Sequence, residues 1–172
     1  MLAGLPDHLK KEFHLKETSS WSIAHASDCS QDDAKQFQIT RKSLQQLNLG
    51  KSVDNIWRLL AAFLHLGNIQ FNLVNDEWET NGDYLNFASE LLGIEPHQLG
   101  QVLTVRNIQA GSNVVLRPCS THIECQARRD TLVKLLYRLM FDTILHHINF
   151  KLKKPMDPKK SDSKHLCKSL QL

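Results

Sequence analysis

Residues 53–68 read VDNIWRLLAAFLHLGN, and this stretch decides the fold. Its apolar side chains cover most of the circumference of a helix, which is typical of a helix that other segments enclose. Gly67 and Asn68 are residue types that end helices. We therefore predict a core helix here and expect the rest of the chain to pack around it.

Two further helices are predicted on the amino-terminal side of this core helix. Pro6 opens a short helical pattern that runs to Leu15, since proline fits the first turn of a helix. Residues 16–30 are polar, and Ser30 then stands as a helix cap before two aspartates. The amphipathic helix that follows is predicted to end at Gly50.

The carboxyl-terminal side begins with a short extended segment and continues with two helices. The apolar residues of 69–74 recur as in a strand, and polar residues 75–83 are predicted to form a loop. A helix from about residue 84 to residue 92 is expected to end at Gly93. Pro96 then starts another short helix.

Residues 104–117, TVRNIQAGSNVVLR, differ in kind from the helical segments. Apolar residues lie on both sides of a Gln-Ala-Gly-Ser-Asn run, in which Gly, Ser and Asn favour a turn. The pattern predicts two extended arms joined by that turn.

A long helix is predicted from Thr121 to about residue 152. Thr121 and Glu124 have the spacing of a capping box, in which each side chain accepts a hydrogen bond from an open backbone N–H. The helix would be roughly 46 Å long, and residues 132–148 are apolar on nearly every face. Such a helix needs neighbours on several sides, and we expect most of them to lie outside this chain.

Composition restricts the class of protein. The chain has 172 residues, 41% hydrophobic and 23% charged, which fits one domain or a piece of a larger one and excludes wholesale disorder. No apolar run approaches the roughly 20 residues of a membrane span, and the first residues lack a signal-peptide pattern. An intracellular, soluble protein is predicted, and its scattered cysteines are expected to stay reduced.

The net charge of +3 comes from the end of the chain. Residues 151–172 contain seven Lys and two Asp, whereas residues 1–150 contain 14 basic and 16 acidic residues. A protein that binds nucleic acid would carry a basic face inside its fold. Nucleic acid is therefore not an expected partner.

One run partly matches a phosphate-binding loop. Gly50, Lys51 and Ser52 supply its last three residues, but Gln45 stands where the loop needs another glycine, and the approach is helical rather than a strand. We interpret Gly50 as a helix stop and Ser52 as the cap of the next helix.

Cysteine and histidine residues give two weak metal signals. Cys119, His122 and Cys125 have the spacing of a zinc corner, but no spacing rule supplies a fourth ligand. His146 and His147 point about 100° apart on a helix and cannot both bind one ion. We expect a solvated and a packed, hydrogen-bonded histidine there, and no metal site; a metal-binding module remains a distant alternative.

Several segments resemble myosin motor domains. Residues 56–71, IWRLLAAFLHLGNIQF, are similar to the family pattern I-x-x-x-L-A-A-I-L-H-L-G-N-I-x-F. Residues 129–137, RDTLVKLLY, match its R-D-x-L-A-K-x-L-Y element, and residues 1–5, MLAGL, resemble the stretch after its second phosphate-sensing loop. The resemblance covers about residues 1–152.

Within the family, the chain is most similar to class XIX, the mitochondria-associated unconventional myosins. This similarity rests on Pro118-Cys119, Glu124-Cys125 and Arg128-Arg129-Asp130. It implies a cytoplasmic location on the cytoskeleton, with the mitochondrial outer surface added for class XIX.

The resemblance implies a mainly α fold that forms part of the fifty-kilodalton region of a P-loop NTPase-type motor, with one extended loop facing actin. Residues 1–152 would be a partial motor domain, and residues 153–172 a disordered, Lys-rich tail. The implied partners are actin filaments and the rest of the motor. ATP and Mg²⁺ are implied for the intact motor, with no cofactor, catalytic residue or nucleotide site in this chain.

The extended segment would be the actin-contacting loop that this family calls the cardiomyopathy loop. Exposed arginines suit an acidic partner surface. The implied contacts are Arg106, Asn107, Gln109, Ser112, Val114 and Arg117. Val114 stands where many myosins carry an acidic or phosphorylatable residue, so regulation by charge at this loop is not expected.

The family's D-x-x-G-F-E segment has no match after Asn149, where residues 161–170 read SDSKHLCKSL. We therefore expect a truncated or alternatively terminated piece of a motor that does not hydrolyse ATP by itself. The alternative is a free-standing helical interaction protein whose last helix docks on another chain.

Overall fold

The computed structural model describes residues 2, 4–15, 21–23, 31–47 and 52–153. Its helices are α1 (Asp7–Glu12), α2 (Gln31–Gln46), α3 (Ser52–Gly67), α4 (Gly82–Leu92), α5 (Pro96–Thr104) and α6 (His122–Lys153). Its strands are β1 (Phe71–Val74), β2 (Glu77–Thr80), β3 (Val105–Ala110) and β4 (Asn113–Pro118). The predicted cap at Ser30, the stop at Gly50 and residues 154–172 of the predicted tail lie outside the described residues, whereas Lys153 is the last residue of α6 rather than part of a disordered tail.

Helix α3 is the centre of this fold, as its sequence predicts. Its first half packs in a cluster with residues of α1, α2 and α4, and its second half packs in a cluster with β1, α4, α5 and α6. Ala61, Ala62 and Leu66 have no exposed surface. The buried His65 ring nitrogen Nε2 donates to the carbonyl of Phe13 at 2.8 Å, which fastens the end of α1 to α3.

Helix α4 ends, and helix α5 begins, with the residue types that the sequence predicts. Gly93 ends α4 with φ +69°, a left-handed conformation that glycine adopts without a steric penalty. Pro96 lies in the first turn of α5, where its missing N–H leaves no bond unmade.

Strands β1 and β2 form an antiparallel hairpin that the sequence does not predict in full. The predicted loop over residues 75–83 is wrong, because it contains β2 and the start of α4. Asn75 and Asp76 both have positive φ, and these two residues make the tight turn between the strands. Trp78 on β2 packs against the second core cluster, which stabilises a strand of otherwise polar residues.

Strands β3 and β4 pair antiparallel from Val105 opposite Pro118 to Ala110 opposite Asn113. Gly111 and Ser112 form the turn, and Gly111 has φ +62°. The two predicted arms and their turn are confirmed.

Helix α6 has 32 residues and starts as predicted, with one difference. The Thr121 hydroxyl accepts from the Glu124 N–H at 3.2 Å, but the Glu124 carboxylate accepts from the N–H of Ser120 rather than of Thr121. Several large apolar side chains of α6 are exposed, including Leu135, Tyr137, Leu139, Phe141, Leu145 and Phe150. In the described part of the chain, no helix is both long enough and apolar enough to cross a membrane.

Candidate functional site

The β3–β4 hairpin is the candidate site, because it extends from the body of the fold. Strand β3 follows α5 without a loop, and every residue of β4 is exposed. At the base of the hairpin, the Cys119 N–H donates to the Thr104 carbonyl at 2.8 Å. The ladder therefore continues down to the core, while the turn at Gly111 is exposed.

The base of the hairpin is fixed by hydrogen bonds from elements that are distant in sequence. The Trp78 indole N–H donates to the Cys119 carbonyl at 2.7 Å. Arg128 on α6 donates twice to the Val102 carbonyl of α5, from Nε at 3.0 Å and from Nη2 at 2.8 Å. These contacts hold the hairpin base against α6 and β2.

The predicted contact residues divide between the two faces of the hairpin. Side chains alternate along a strand, and Arg106 lies opposite Arg117 on one face. Asn107, Gln109 and Val114 lie on the other face, with the unpredicted Leu116 opposite Asn107. Ser112 lies in the turn. The six residues therefore form two surfaces and a tip rather than one patch.

The hairpin carries cationic and apolar groups and no acidic group. The sequence contains no Asp or Glu between Glu95 and Glu124. Leu116 is 66% exposed and Val114 is 59% exposed, and the strand register places both on the same face. Such a surface suits an acidic partner that also offers an apolar contact.

Cys119 and Cys125 lie side by side, but His122 does not join them. The two cysteines are buried and carry free thiols, whereas His122 is exposed. Burial is the main cause that raises the pKa of the Cys125 thiol to about 12, and the neighbouring Cys119 thiol adds to the rise. Among the described residues, no three His, Cys, Asp or Glu side chains are placed to hold a metal ion.

Ser52, the last residue of the partial match to a phosphate-binding loop, does not follow a strand. Ser52 begins α3, and the element before it is helix α2 rather than a strand. Lys51 and Gly50 lie outside the described residues. A phosphate-binding loop needs a strand that leads into a glycine-rich turn. Helices α2 and α3 do not provide such a strand.

A groove of about 370 Å³, here the α3–α6 groove, separates the first half of α3 from the second half of α6. Its walls are mostly apolar and include Ile56, Leu59, Leu136 and Met140. His147 lies at this groove with its Nε2 buried and without a hydrogen-bond partner in the described structure. The predicted hydrogen bond of a packed histidine is therefore not found at His147 Nε2. His146 is exposed, as predicted for the solvated histidine.

Arg129 makes a contact that sequence reasoning missed. Its Nη1 donates to the carbonyls of Gly67 at 3.2 Å and Ile69 at 2.9 Å, and its Nη2 lies 2.8 Å from the Asp130 carboxylate. The guanidinium thereby joins the end of α3 to α6. Because Arg129 and Gly67 are far apart in the sequence, no local pattern indicates this contact.

The sequence matches the model of a known family. The myosin head (motor domain) family model matches residues 1–163. The chain belongs to the myosin motor-domain family. Unconventional myosin-XIX of Homo sapiens is 32% identical over 156 residues, which is 85% of this chain and 16% of that protein.

Other myosins match over the same region. Unconventional myosin-XIX of Xenopus laevis is 30% identical over 158 residues, which is 87% of this chain and 16% of that protein. Myosin-2 of Saccharomyces cerevisiae is 28% identical over 156 residues, which is 87% of this chain and 10% of that protein. The chain thus spans less than a fifth of the length of each of these myosins, and the resemblance to myosin motor domains in the sequence is confirmed.

Proposed function

We propose that this chain forms part of the actin-binding face of a myosin-type motor, within the fifty-kilodalton region that borders the actin cleft. The observation that carries the proposal is the β3–β4 hairpin. It projects from a fixed base, it bears two arginines, and it lies between Glu95 and Glu124 in a stretch without a single carboxylate side chain. The cardiomyopathy loop of the family is the corresponding element.

The two faces of the hairpin suit two parts of an association reaction. The arginines create a positive potential that raises the rate of encounter with an acidic filament, and guanidinium groups form bidentate pairs with carboxylates. Leu116 and Val114 offer apolar area that is removed from water once the hairpin docks. The charges thus raise the association rate, and the apolar burial lowers the dissociation rate of the complex.

The proposal places nucleotide chemistry outside this chain. In an intact myosin, ATP with Mg²⁺ would shift the cleft between weak and strong affinity for actin. The residues of this chain would contribute the filament contact and part of the wall of the cleft. The cytoskeleton is the proposed location, and a class XIX relation would add the outer surface of mitochondria.

The test is binding of the fluorescently labelled chain, at nanomolar concentration, to purified actin filaments. Replacing Arg106→Glu and Arg117→Glu together is expected to weaken binding by about 5- to 30-fold at low salt, which corresponds to one to two kcal/mol. The difference should shrink as salt is raised, because ions screen exposed charges.

Lys35→Glu on α2 is the matched control, since it is an exposed cation remote in sequence from the hairpin and its reversal changes the net charge by the same amount per site. Its effect on affinity should be small. Unchanged binding of the double arginine variant at low salt would remove the hairpin from the proposed interface.

A further inference from the structure

Arg106 and Arg117 lie opposite each other at the base of the hairpin but in different surroundings. Two like charges directly across a strand pair repel each other. Arg106 is half-buried, whereas Arg117 is exposed. Among the described residues Arg117 makes no ion pair, so its guanidinium is available to a partner.

Arg106 directs its side chain toward the start of α6. Its Nη1 lies 3.4 Å from the Glu124 carboxylate, and its Nη2 donates to the Ser120 hydroxyl at 3.0 Å. Its Nε is buried without an acceptor in the described structure. The guanidinium is thus engaged by groups of the fold, although 38% of the side chain is exposed.

The Glu124 carboxylate contacts both strand β3 and the segment that precedes α6. Its Oε1 faces Arg106, and its Oε2 accepts from the Ser120 N–H at 2.7 Å in the first turn of α6. The three residues Arg106, Ser120 and Glu124, here the basal bracket, therefore connect β3 to the end of α6 that the capping hydrogen bonds fix.

We propose that the basal bracket sets the direction of the hairpin: Arg106 and Glu124 are positioning residues, and Arg117 is the cation that contacts the acidic partner. This inference rests on the proposed function, since it assigns roles within that interface. The sequence prediction treats Arg106 and Arg117 alike as contacts to the partner, whereas this proposal gives them different roles.

The alternative role for Glu124 makes the opposite prediction. If Arg106 contacted the partner, Glu124 would compete with the partner's carboxylates, and neutralising it would tighten binding. If the bracket positions the hairpin, Glu124→Gln weakens binding, because the hairpin loses its fixed direction. Glutamine keeps an oxygen that can accept from the Ser120 N–H, so the change is confined to the ion pair.

The experiment measures binding of the full labelled chain to actin filaments over a range of salt concentrations. Glu124→Gln and Arg106→Gln are each expected to weaken binding by about fivefold, and the double variant by no more than either single change, since both remove the same contact. Neither should alter the slope of log Kd against log salt. Arg117→Gln should weaken binding and also reduce that slope.

Thr121→Ala is the control for helix capping, because it removes the hydroxyl acceptor of the Glu124 N–H and leaves the ion pair in place. It should leave the affinity unchanged. If none of Arg106→Gln, Glu124→Gln and Arg117→Gln changes the affinity, the proposed function itself fails. If only Arg117→Gln has no effect, the assignment of Arg117 as the contacting cation is overturned and the hairpin interface stands. If Arg117→Gln weakens binding while Glu124→Gln tightens it or leaves it unchanged, the positioning role is overturned and the hairpin interface stands.

Discussion

Arg129 makes hydrogen bonds across the junction of α3 and α6. Its Nη1 satisfies the carbonyls of Gly67 and Ile69 at the end of α3, where helix carbonyls lack partners within the helix. The positive charge also lies favourably at the negative end of the helix dipole. One side chain therefore stabilises the end of the core helix and the register of α6 against it.

Replacing Arg129→Lys should lower the free energy of unfolding by about 2 kcal/mol, because an ammonium cannot hold this forked arrangement. Urea unfolding of the chain measures the loss. Arg138→Lys is the control: Arg138 lies on the same helix in an exposed ion pair, 3.7 Å from Asp142, and its replacement should change stability by less than about 0.5 kcal/mol. Equal losses for the two variants would contradict the role of Arg129.

Cys125 makes stability depend on alkaline pH. Burial, and then the Cys119 thiol, raise the pKa of Cys125 to about 12 from the ordinary value of 9.0, so the folded chain favours the protonated thiol. This contribution is fully present below about pH 9 and is lost as the pH rises toward 12.

The melting temperature should therefore fall more steeply between about pH 8.5 and pH 10.5 in the wild-type chain than in Cys125→Ala. The alanine variant also loses packing, but that loss is the same at every pH. If the melting temperatures of the two proteins fall in parallel across this range, folding does not change the pKa of the Cys125 thiol.

At the scale of elements, the turn of the β3–β4 hairpin tests how firmly the hairpin is formed. Gly111 and Gly82 both have open space where a Cβ would stand, but only Gly111 has a positive φ. Gly111→Ala should cost about 1 kcal/mol through backbone strain alone. Amide hydrogen exchange in residues 105–118 should become about fivefold faster.

Gly82→Ala is the matched control, since Gly82 is the first residue of α4 and its backbone suits alanine. It should leave exchange in the hairpin unchanged. If both substitutions accelerate exchange in residues 105–118 equally, strain at the turn is not what limits the hairpin.

Most elements could be predicted from local patterns, and β2 shows why one could not. Helix α3 has an apolar pattern, α4 has a terminal glycine, and β3 and β4 flank a turn run, all of which are local signals. Strand β2 alternates two glutamates with Trp78 and Thr80, and it is held by Trp78, whose indole N–H donates to the Cys119 carbonyl 41 residues away. The polar composition of residues 75–83 indicates a loop because the stabilising partner is distant in sequence.

At the candidate site, too, contacts between residues that are distant in the sequence could not be predicted. The sequence locates the hairpin and its arginines, since the turn run and the charges are local. The different surroundings of Arg106 and Arg117 come from Glu124, which lies 18 residues beyond Arg106 and meets it only in the fold. The distribution of the six predicted contact residues over two faces and the turn follows from the pairing register of β3 and β4. The sequence pattern alone does not predict that register.

At the scale of the whole molecule, α6 and the α3–α6 groove leave a large apolar surface uncovered. Leu135 is 52% exposed and Leu139 is 53% exposed, and the groove wall beside them is apolar. An apolar surface of this kind favours association. The sequence predicts the same, because residues 132–148 are apolar on nearly every face.

The chain at micromolar concentration should therefore self-associate, and Leu135→Lys together with Leu139→Lys should shift it toward monomer in analytical ultracentrifugation. Ile39→Lys on α2 is the control, because Ile39 is equally exposed, at 55%, on another helix. A monodisperse wild-type monomer that melts cooperatively would favour the alternative of a free-standing helical module.

Docking of an acidic filament on the β3–β4 hairpin is tested most directly by amide hydrogen exchange of the chain with and without saturating actin filaments. We expect slower exchange in residues 105–118 on binding, with the amides of α2 unchanged. Binding that leaves residues 105–118 unprotected, or that protects α2 instead, would contradict a filament contact at the hairpin.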